Sequence, residues 1–359
     1  MRVAIITDQP FWYEDTMYLN ELEKRMPGEG ITTKIFVVKG SKFFKKIDSI
    51  GIIRFLNITK LLGKLSYFDI IHVQFSYLGF SFAFLASLRL LNKPILIHTH
   101  GYDVFTVPSV NYGLRRNSLG KFLTNYTWKR TNRIIAVCKK AKLEIEKSGI
   151  NSEKINLLYN GIDENLFSKT KAALSNELST LRENNDFLFL SVASLVPVKN
   201  HVRMLKAFER LAEKYQNKLK IKLILVGENK SQYLPNIENP NVIYLGKKNH
   251  SQLNQYYNVA DAFVLVSLSE AHPWSMLEAM SCELPVIGAN VGGIPETIDE
   301  SRLLMNPWDE NDIFKKFESI LTMSLGERKK IGVENRQKIL DNFTIGKHVN
   351  RLKKIYNSL

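Results

Sequence analysis

Hydrophobic positions along the chain gather into short β-branched runs, separated by longer stretches compatible with helices. In the first half the runs are Val3-Ala-Ile-Ile-Thr7, Lys34-Ile-Phe-Val-Val38, Ile70-Ile-His-Val73, Ile95-Leu-Ile-His98 and Arg133-Ile-Ile-Ala-Val137. A second series comprises Phe187-Leu-Phe-Leu-Ser-Val192, Lys222-Leu-Ile-Leu-Val226, Val242-Ile-Tyr-Leu245, Ala262-Phe-Val-Leu-Val266 and Pro285-Val-Ile-Gly288. Runs of this kind, alternating with helical stretches, predict an α/β chain whose parallel sheets are covered on both faces. Between the two series, residues 169–186 are polar and strand-poor, which places an interdomain linker and the opening of a second domain there. Two doubly wound domains are expected, at 1–168 and 169–342. Residues 343–359 form a basic helix with Val349, Leu352, Ile355 and Tyr356 at helical spacing. Either domain is open as its partner, the first being the candidate.

Two segments test this reading against a membrane alternative. Residues 70–88 run for 19 positions without a charge, long enough to span a bilayer. His72, Gln74, Ser76 and Gly79 interrupt the run, and it divides into a β-like Ile70–Gln74 and a helix-like Gly79–Leu91. A buried strand and a core helix are therefore expected. The start, Arg2-Val-Ala-Ile-Ile-Thr7, is cut off by Asp8 with no small-residue cleavage site after it, and reads as a strand rather than a leader.

With 359 residues, 45% of them hydrophobic, the chain is too long and too apolar for a disulfide scaffold or a disordered polymer. Cys138 and Cys282 lie far apart without metal-ligand spacing, which points to a reducing, cytoplasmic setting. The net charge of +15 is uneven: residues 51–150 carry +11, while residues 251–300 hold 7 acids and no Lys or Arg. A basic first half suits an anionic partner, whether nucleic acid, anionic lipid or a phosphorylated ligand. Phe43-Phe44-Lys45-Lys46 and Leu61–Leu65 with Lys60 and Lys64 are candidate contacts for an anionic membrane surface; a plain solubilising face stays open beside it.

Ligands of doubly wound sheets sit beyond the carboxyl ends of the strands, and the motifs follow strands. Ser267-Leu-Ser-Glu270-Ala-His272-Pro273-Trp274-Ser275-Met276-Leu-Glu278 comes directly after the run ending at Val266. Two carboxylates eight positions apart on a loop entering a helix can both accept hydroxyls of one sugar-bearing ligand. The helix start offers amide groups and a positive dipole end to a phosphate. A loop acid and an exposed helix acid remain the plainer reading of that spacing. Gly292-Gly293-Ile-Pro295-Glu296 permits a close backbone approach before a helix. Lys199, after the run ending at Val192, can neutralise a diphosphate whose charge grows as its bond to a sugar breaks, though a solvated loop cation would look the same. In the first domain His98-Thr-His100-Gly101-Tyr-Asp103 ends a strand. The i, i+2 histidines raise a metal site, but no third ligand has suitable spacing, so no metal is expected. Neither a Gly-x-Gly-x-x-Gly nor a Walker-type lysine motif follows a strand.

These motifs together resemble the retaining glycosyltransferases of family 4, which have the GT-B fold: two Rossmann-like domains facing across a nucleotide-sugar cleft. The resemblance spans nearly the whole chain and rests on His100-Gly-Tyr-Asp103, Asn160-Gly-Ile-Asp163, Leu195–Lys199, Leu225-Val-Gly227, Tyr244-Leu-Gly246, the Glu270 and Glu278 pair, and Gly292-Gly-Ile-Pro-Glu296. It implies that Glu278 holds ribose hydroxyls, Glu270 the donor-sugar hydroxyls and Lys199 the diphosphate, with His100 lining the reaction site. Ser194, His272, Pro273, Trp274, Ser275 and Met276 complete the implied donor site. Two departures stand out. Ala193-Ser194 occupies the usual Gly-Arg position, removing one phosphate cation, for which Arg203 is a candidate replacement. Pro273 stands in the usual glycine-rich stretch and has no N–H to give.

The resemblance implies a metal-independent hexosyl transfer with retention and no cofactor. The donor is a nucleoside diphosphate sugar, with UDP favoured, and the acceptor is a glycan or a lipid-linked glycan at the inner face of a membrane. A sugar-nucleotide 2-epimerase is the alternative within the fold. A nucleic-acid-binding protein is the alternative from charge, but no nucleic-acid motif accompanies it.

Overall fold

The computed structural model describes residues 1–8, 17–38, 61–170, 178, 181–182, 186–229, 233 and 239–359. Phe43–Lys46, Lys60 and most of the expected linker lie outside these residues. The chain forms two compact units, Met1–Gly161 with Ile345–Leu359, and Ile162–Thr344.

The first unit opens with β1 (Arg2–Asp8), α1 (Met17–Arg25) and β2 (Thr32–Val38), followed by α2 (Leu62–Leu65), β3 (Ile70–Gln74) and α3 (Ser76–Ser87). It continues through β4 (Ile95–His98), α4 (Ser118–Arg130), β5 (Arg133–Ala136), α5 (Lys139–Glu146) and β6 (Ile155–Leu157). The strands are all parallel, in the order β2-β1-β3-β4-β5-β6. β3 and β4 are buried along their whole length; in β3 the polar His72 and Gln74 are buried with the rest and are satisfied by hydrogen bonds. The uncharged stretch from Ile70 divides as expected, but its helix begins at Ser76 rather than Gly79. The start is fixed from outside the segment, because the Asp103 carboxylate accepts both the Ser76 N–H (2.9 Å) and its hydroxyl (2.7 Å).

The second unit contains β7 (Phe187–Val192), α6 (His201–Tyr215), β8 (Ile221–Val226), β9 (Val242–Tyr244), α7 (Leu253–Val259) and β10 (Ala262–Leu265). It ends with α8 (Trp274–Ser281), β11 (Val286–Ala289), α9 (Ile294–Thr297), β12 (Leu304–Met305), α10 (Glu310–Thr322) and α11 (Leu325–Asn342). Its parallel sheet has the order β12-β11-β10-β7-β8-β9, so the direction of winding reverses between β7 and β10. Phe189, Phe208 and Phe317 meet edge to face in the layer between sheet and helices, with Phe189 and Phe317 centroids 4.8 Å apart. α12 (Ile345–Asn357) returns to the first unit. There it buries Val349, Leu352, Ile355 and Tyr356, and Lys353 bonds Glu29 at 2.8 Å.

Among the described residues no helix is long and apolar enough to cross a membrane.

Candidate functional site

In a doubly wound sheet, the reversal point leaves a crevice at the strand ends because neighbouring connections leave in opposite directions. In the second unit that point lies between β7 and β10, and the loops after these two strands carry Lys199 and Glu270. The Leu268 N–H donates to the Val198 carbonyl at 2.8 Å, tying the two loops together. The Lys199 ammonium forms an ion pair with Glu270 Oε1, and the Ser267 hydroxyl donates to the same oxygen at 2.6 Å. Glu270 is 9% exposed, so the pair sits largely out of water, where charge-assisted bonds are strong. The loop is braced from behind by Gly292, at φ 55°, where a Cβ would stand 1.6 Å from the Glu270 carbonyl oxygen. The close approach expected of the glycine pair is thus made to the Glu270 backbone itself. Gly227, at φ 153°, packs likewise against Ala193 and Ser194.

Asn200 organises the neighbouring strand ends. Its side-chain amide donates to the carbonyls of Val266 (3.2 Å) and Pro307 (2.7 Å), and its Oδ1 accepts from Arg203 at 3.0 Å. The Arg203 guanidinium also lies 5.1 Å from the Trp308 ring centroid. These contacts engage the arginine considered as a substitute phosphate ligand.

α8 begins at Trp274, preceded by Pro273, which supplies no capping side chain. The amides of Ser275 and Met276, in the first turn, have no intrahelical acceptor by the geometry of a helix start, and the dipole adds positive potential there. His272 is buried, its ring edge-on to Phe343 at 5.0 Å, while Trp274 is half-buried. One turn further on, Glu278 is 3% exposed, and each of its oxygens has a partner. His250 Nε2 lies 2.8 Å from Oε1, and the Tyr257 hydroxyl donates to Oε2 at 2.7 Å. Burial, and then the Glu278 charge, push the Tyr257 hydroxyl well above its usual range. Phe167 packs against both partners, 5.1 Å from the His250 ring and 5.9 Å from that of Tyr257.

In the first unit, Asp103 folds back to accept the His100 N–H at 3.1 Å in addition to its two bonds with Ser76. Burial raises the pKa of Asp103, against the lowering effect of these bonds. His100 Nε2 lies 2.6 Å from Gln74 Oε1, the Gln74 amide nitrogen 3.2 Å from His72 Nε2, and His72 Nδ1 2.7 Å from the Tyr356 hydroxyl. Because an amide oxygen only accepts, this chain assigns the proton of His100 to Nε2 and leaves Nδ1 as its acceptor nitrogen. His98 stacks on His100 at 4.4 Å and on His72 at 5.4 Å. Burial, reinforced by the other histidines, drives the pKa of His100 and of His72 down to about 3. The i, i+2 histidines do share a face, as the extended backbone requires, and they are held as neutral rings. Among the described residues, no group of three His, Cys, Asp or Glu is placed to hold a metal ion.

Lys199, Ser267 and Glu270 are brought together, with Glu278 supported separately by His250 and Tyr257. Sequence reasoning missed His250, Tyr257, Asn200 and Gln74. His250 follows the strand β9 and was discoverable by the same after-strand rule that located Lys199. The acid-rich segment 251–300 is partly balanced from outside it: Asp261 pairs with Arg182 (2.7 Å), Asp299 with Lys338 (2.5 Å), and Glu300 with Arg302.

Residues 19–166 match the model of Glycosyltransferase Family 4, and residues 176–338 that of Glycosyl transferases group 1. The UDP-Gal:alpha-D-GlcNAc-diphosphoundecaprenol alpha-1,3-galactosyltransferase of Escherichia coli is 27% identical over 84% of this chain and 78% of its own length. The N-acetyl-alpha-D-glucosaminyl L-malate synthase of Bacillus anthracis is 24% identical over 80% of this chain and 74% of its own. Among solved structures, sucrose-phosphate synthase from Thermosynechococcus elongatus superposes with a TM-score of 0.82, covering 99% of this chain and 98% of that one at 17% identity. Anabaena HepE in complex with UDP gives 0.77 over 100% of both chains at 16% identity. Two family models spanning most of the sequence, two parallel six-stranded sheets and curated relatives with the same activity class agree: the chain belongs to the family 4 glycosyltransferases of GT-B fold.

Proposed function

We propose that this glycosyltransferase moves a hexose from a nucleoside diphosphate sugar, with UDP favoured, to a glycan or lipid-linked acceptor in cell-surface polysaccharide or glycolipid synthesis. Retention at the anomeric carbon and independence of metal belong to the same proposal, as does peripheral attachment at the cytoplasmic face of a membrane. The observation that carries it is the Lys199–Glu270 ion pair with Ser267, at the strand ends where the second sheet reverses its winding. Donor entry exchanges partners: Lys199 turns to the diphosphate, and Glu270 to the hydroxyls of the sugar. The Ser275 and Met276 amides assist on the phosphate, and Glu278 accepts from the ribose.

In the reaction, the bond from C1 to the diphosphate oxygen breaks and its electron pair leaves with the diphosphate. The acceptor oxygen bonds C1 on the same face, and its proton passes to the departing phosphate oxygen. The Lys199 ammonium stabilises the charge that grows on that oxygen, a role a metal ion would otherwise fill. His100, neutral at physiological pH, addresses the reacting sugar through hydrogen bonding rather than charge. The E. coli relative is named for a UDP-sugar donor and a diphosphoundecaprenol-linked acceptor, and that supports the choice of both substrate classes.

A panel of nucleotide sugars scored by thermal shift tests the donor, since a ligand of the native state raises stability. Transfer in the presence of EDTA, with the product's anomeric configuration read by NMR, tests metal independence and retention. A shift confined to UDP compounds and an axial product from an axial donor are expected. No shift with any nucleotide sugar, or donor turnover to an epimer without acceptor, refutes the reading.

A further inference from the structure

Helices α3 and α4, with residues 88–90 that follow α3, carry apolar side chains that their own unit does not cover. Phe84 is 36% exposed, Leu88 52%, Leu90 61%, Leu119 55% and Phe122 59%. Phe84, Leu88, Leu119 and Phe122 form one surface. Phe122 meets Tyr126 (6.1 Å between centroids), Tyr126 meets Phe80 (5.2 Å) and Phe80 meets Phe84 (6.3 Å), while the Tyr126 and Ser87 hydroxyls are 2.9 Å apart. The spacing fits: 119, 122 and 126 follow one helical stripe, and 80, 84 and 88 another. Exposed apolar groups elsewhere, such as Leu325 and Val333 on α11, alternate with acids and bases.

The exposed charges carried by α3, α4 and the turn after α3 have one sign. Arg89, Lys121, Lys129 and Arg130 are exposed, and the Arg130 guanidinium lies 3.9 Å from the Tyr126 ring centroid. Between residues 75 and 133 the sole acid in the sequence is Asp103, which is 0% exposed and bonded to Ser76 and His100. No carboxylate on either helix opposes an anion. A second copy of the chain would bring these cations against themselves, whereas anionic phosphates at the rim and hydrocarbon at the centre satisfy both halves of the surface.

We propose that the α3–α4 face docks on an anionic lipid bilayer. Leu88, Leu119 and Phe122 enter the boundary between headgroups and acyl chains, while Arg89, Lys121, Lys129 and Arg130 bind lipid phosphates, their stems lying along the apolar surface. Tyr126 sits at the junction, apolar in its ring and polar at its hydroxyl. The proposal extends the lipid-linked-acceptor reading, yet it stands on the surface alone. Because α3 starts where Asp103 holds His100, a bilayer under this face would lie along elements that lead to the His100 loop.

The test is flotation of the whole protein, without any nucleotide sugar, on phosphatidylcholine vesicles with and without phosphatidylglycerol. Wild type is expected to float with the anionic vesicles and to be released by 0.5 M salt. Leu119→Ser with Phe122→Ser, and separately Lys129→Gln with Arg130→Gln, each lower partitioning roughly tenfold or more. Leu325→Ser with Val333→Ser changes nothing. The altered positions are exposed, and circular dichroism melts check that the variants fold. Absence of flotation, or unchanged partitioning of both folded double variants, overturns the proposal. So does sedimentation showing that Phe122→Ser splits a dimer while vesicle binding persists. None of these outcomes depends on glycosyl transfer, so a failed activity assay and a failed docking assay remain distinguishable.

Discussion

Replacing Tyr257 by Phe removes one hydroxyl and nothing else from the support of Glu278. That hydroxyl donates to Oε2 at 2.7 Å, with Tyr257 0% and Glu278 3% exposed, so no bulk water stands ready to take its place. A hydrogen bond to a charged group is worth about 1.5–3 kcal/mol net. Part of that loss appears as stability, and at about 2–4 °C per kcal/mol for a domain of this size the melting temperature should fall by several degrees. The rest appears in recognition. With one of two restraints gone, the carboxylate must be ordered by the ligand, and a penalty of about 1 kcal/mol raises the Kd for UDP roughly fivefold. Titration calorimetry with UDP and with 2′-deoxy-UDP separates the two effects. If Glu278 holds the ribose, wild type prefers UDP, and Tyr257→Phe narrows that preference. Equal affinity of wild type for the two nucleotides would refute the ribose assignment, and a variant that melts lower but keeps the wild-type ratio would leave Tyr257 as a packing residue.

Other expectations follow from the same geometry. Lys199→Ala should reduce kcat for transfer by about 10²–10³, the range seen when one transition-state donor is lost, and near-normal turnover in a radiolabelled-donor assay would contradict its role. Gly292→Ala must push the Glu270 carbonyl away and hold alanine at φ 55°, so a loss of about 1–3 kcal/mol in urea unfolding is expected together with weaker donor binding. His72 and His100 titrate near 3 and His348 near 4 in the folded protein, against about 6.5 unfolded, so the unfolded chain takes up protons first as pH falls. Stability should hold above pH 6.5 and decline toward pH 4, by about 1.4 kcal/mol per pH unit for each histidine. His348→Gln should flatten that decline, and an unchanged slope would argue against the buried-histidine origin.

Strands buried along their length announce themselves as apolar, β-branched runs, and β1, β3 to β5, β7, β8, β10 and β11 were readable for that reason, whereas the partly exposed edge strands β2 and β9 were readable from the unbroken Ile35–Val38 and Val242–Leu245 runs that contain them. β6 and β12 were not. Each is an edge strand of three or two residues bonded to a single neighbour, too short for any period to register. The apolar stripe of α12 was clear from Val349, Leu352, Ile355 and Tyr356, but its packing partner was not, since a stripe does not say what it faces. At the site, Lys199 and Glu270 were legible because they follow strands. The support given to Glu278 by His250 depends on a contact 28 residues away in sequence, and the start of α3 at Ser76 depends on a carboxylate 27 residues downstream. Such contacts carry no local signature.

The return of α12 to the first unit makes the second unit an insertion. Residues 162–344 enter and leave it side by side, with the Ile162 N–H bonded to the Phe343 carbonyl at 2.9 Å and Ile162 bridged to Thr344. During synthesis, the inserted segment has every one of its strands available before α12 is made. The first unit must wait for α12, because Tyr356 and His348 supply partners to His72 and Tyr18. The order of translation is therefore inverted in folding: the unit that begins the chain is the last to be completed. A chain ending at residue 344 should display a protease-resistant second unit beside an unfinished first one.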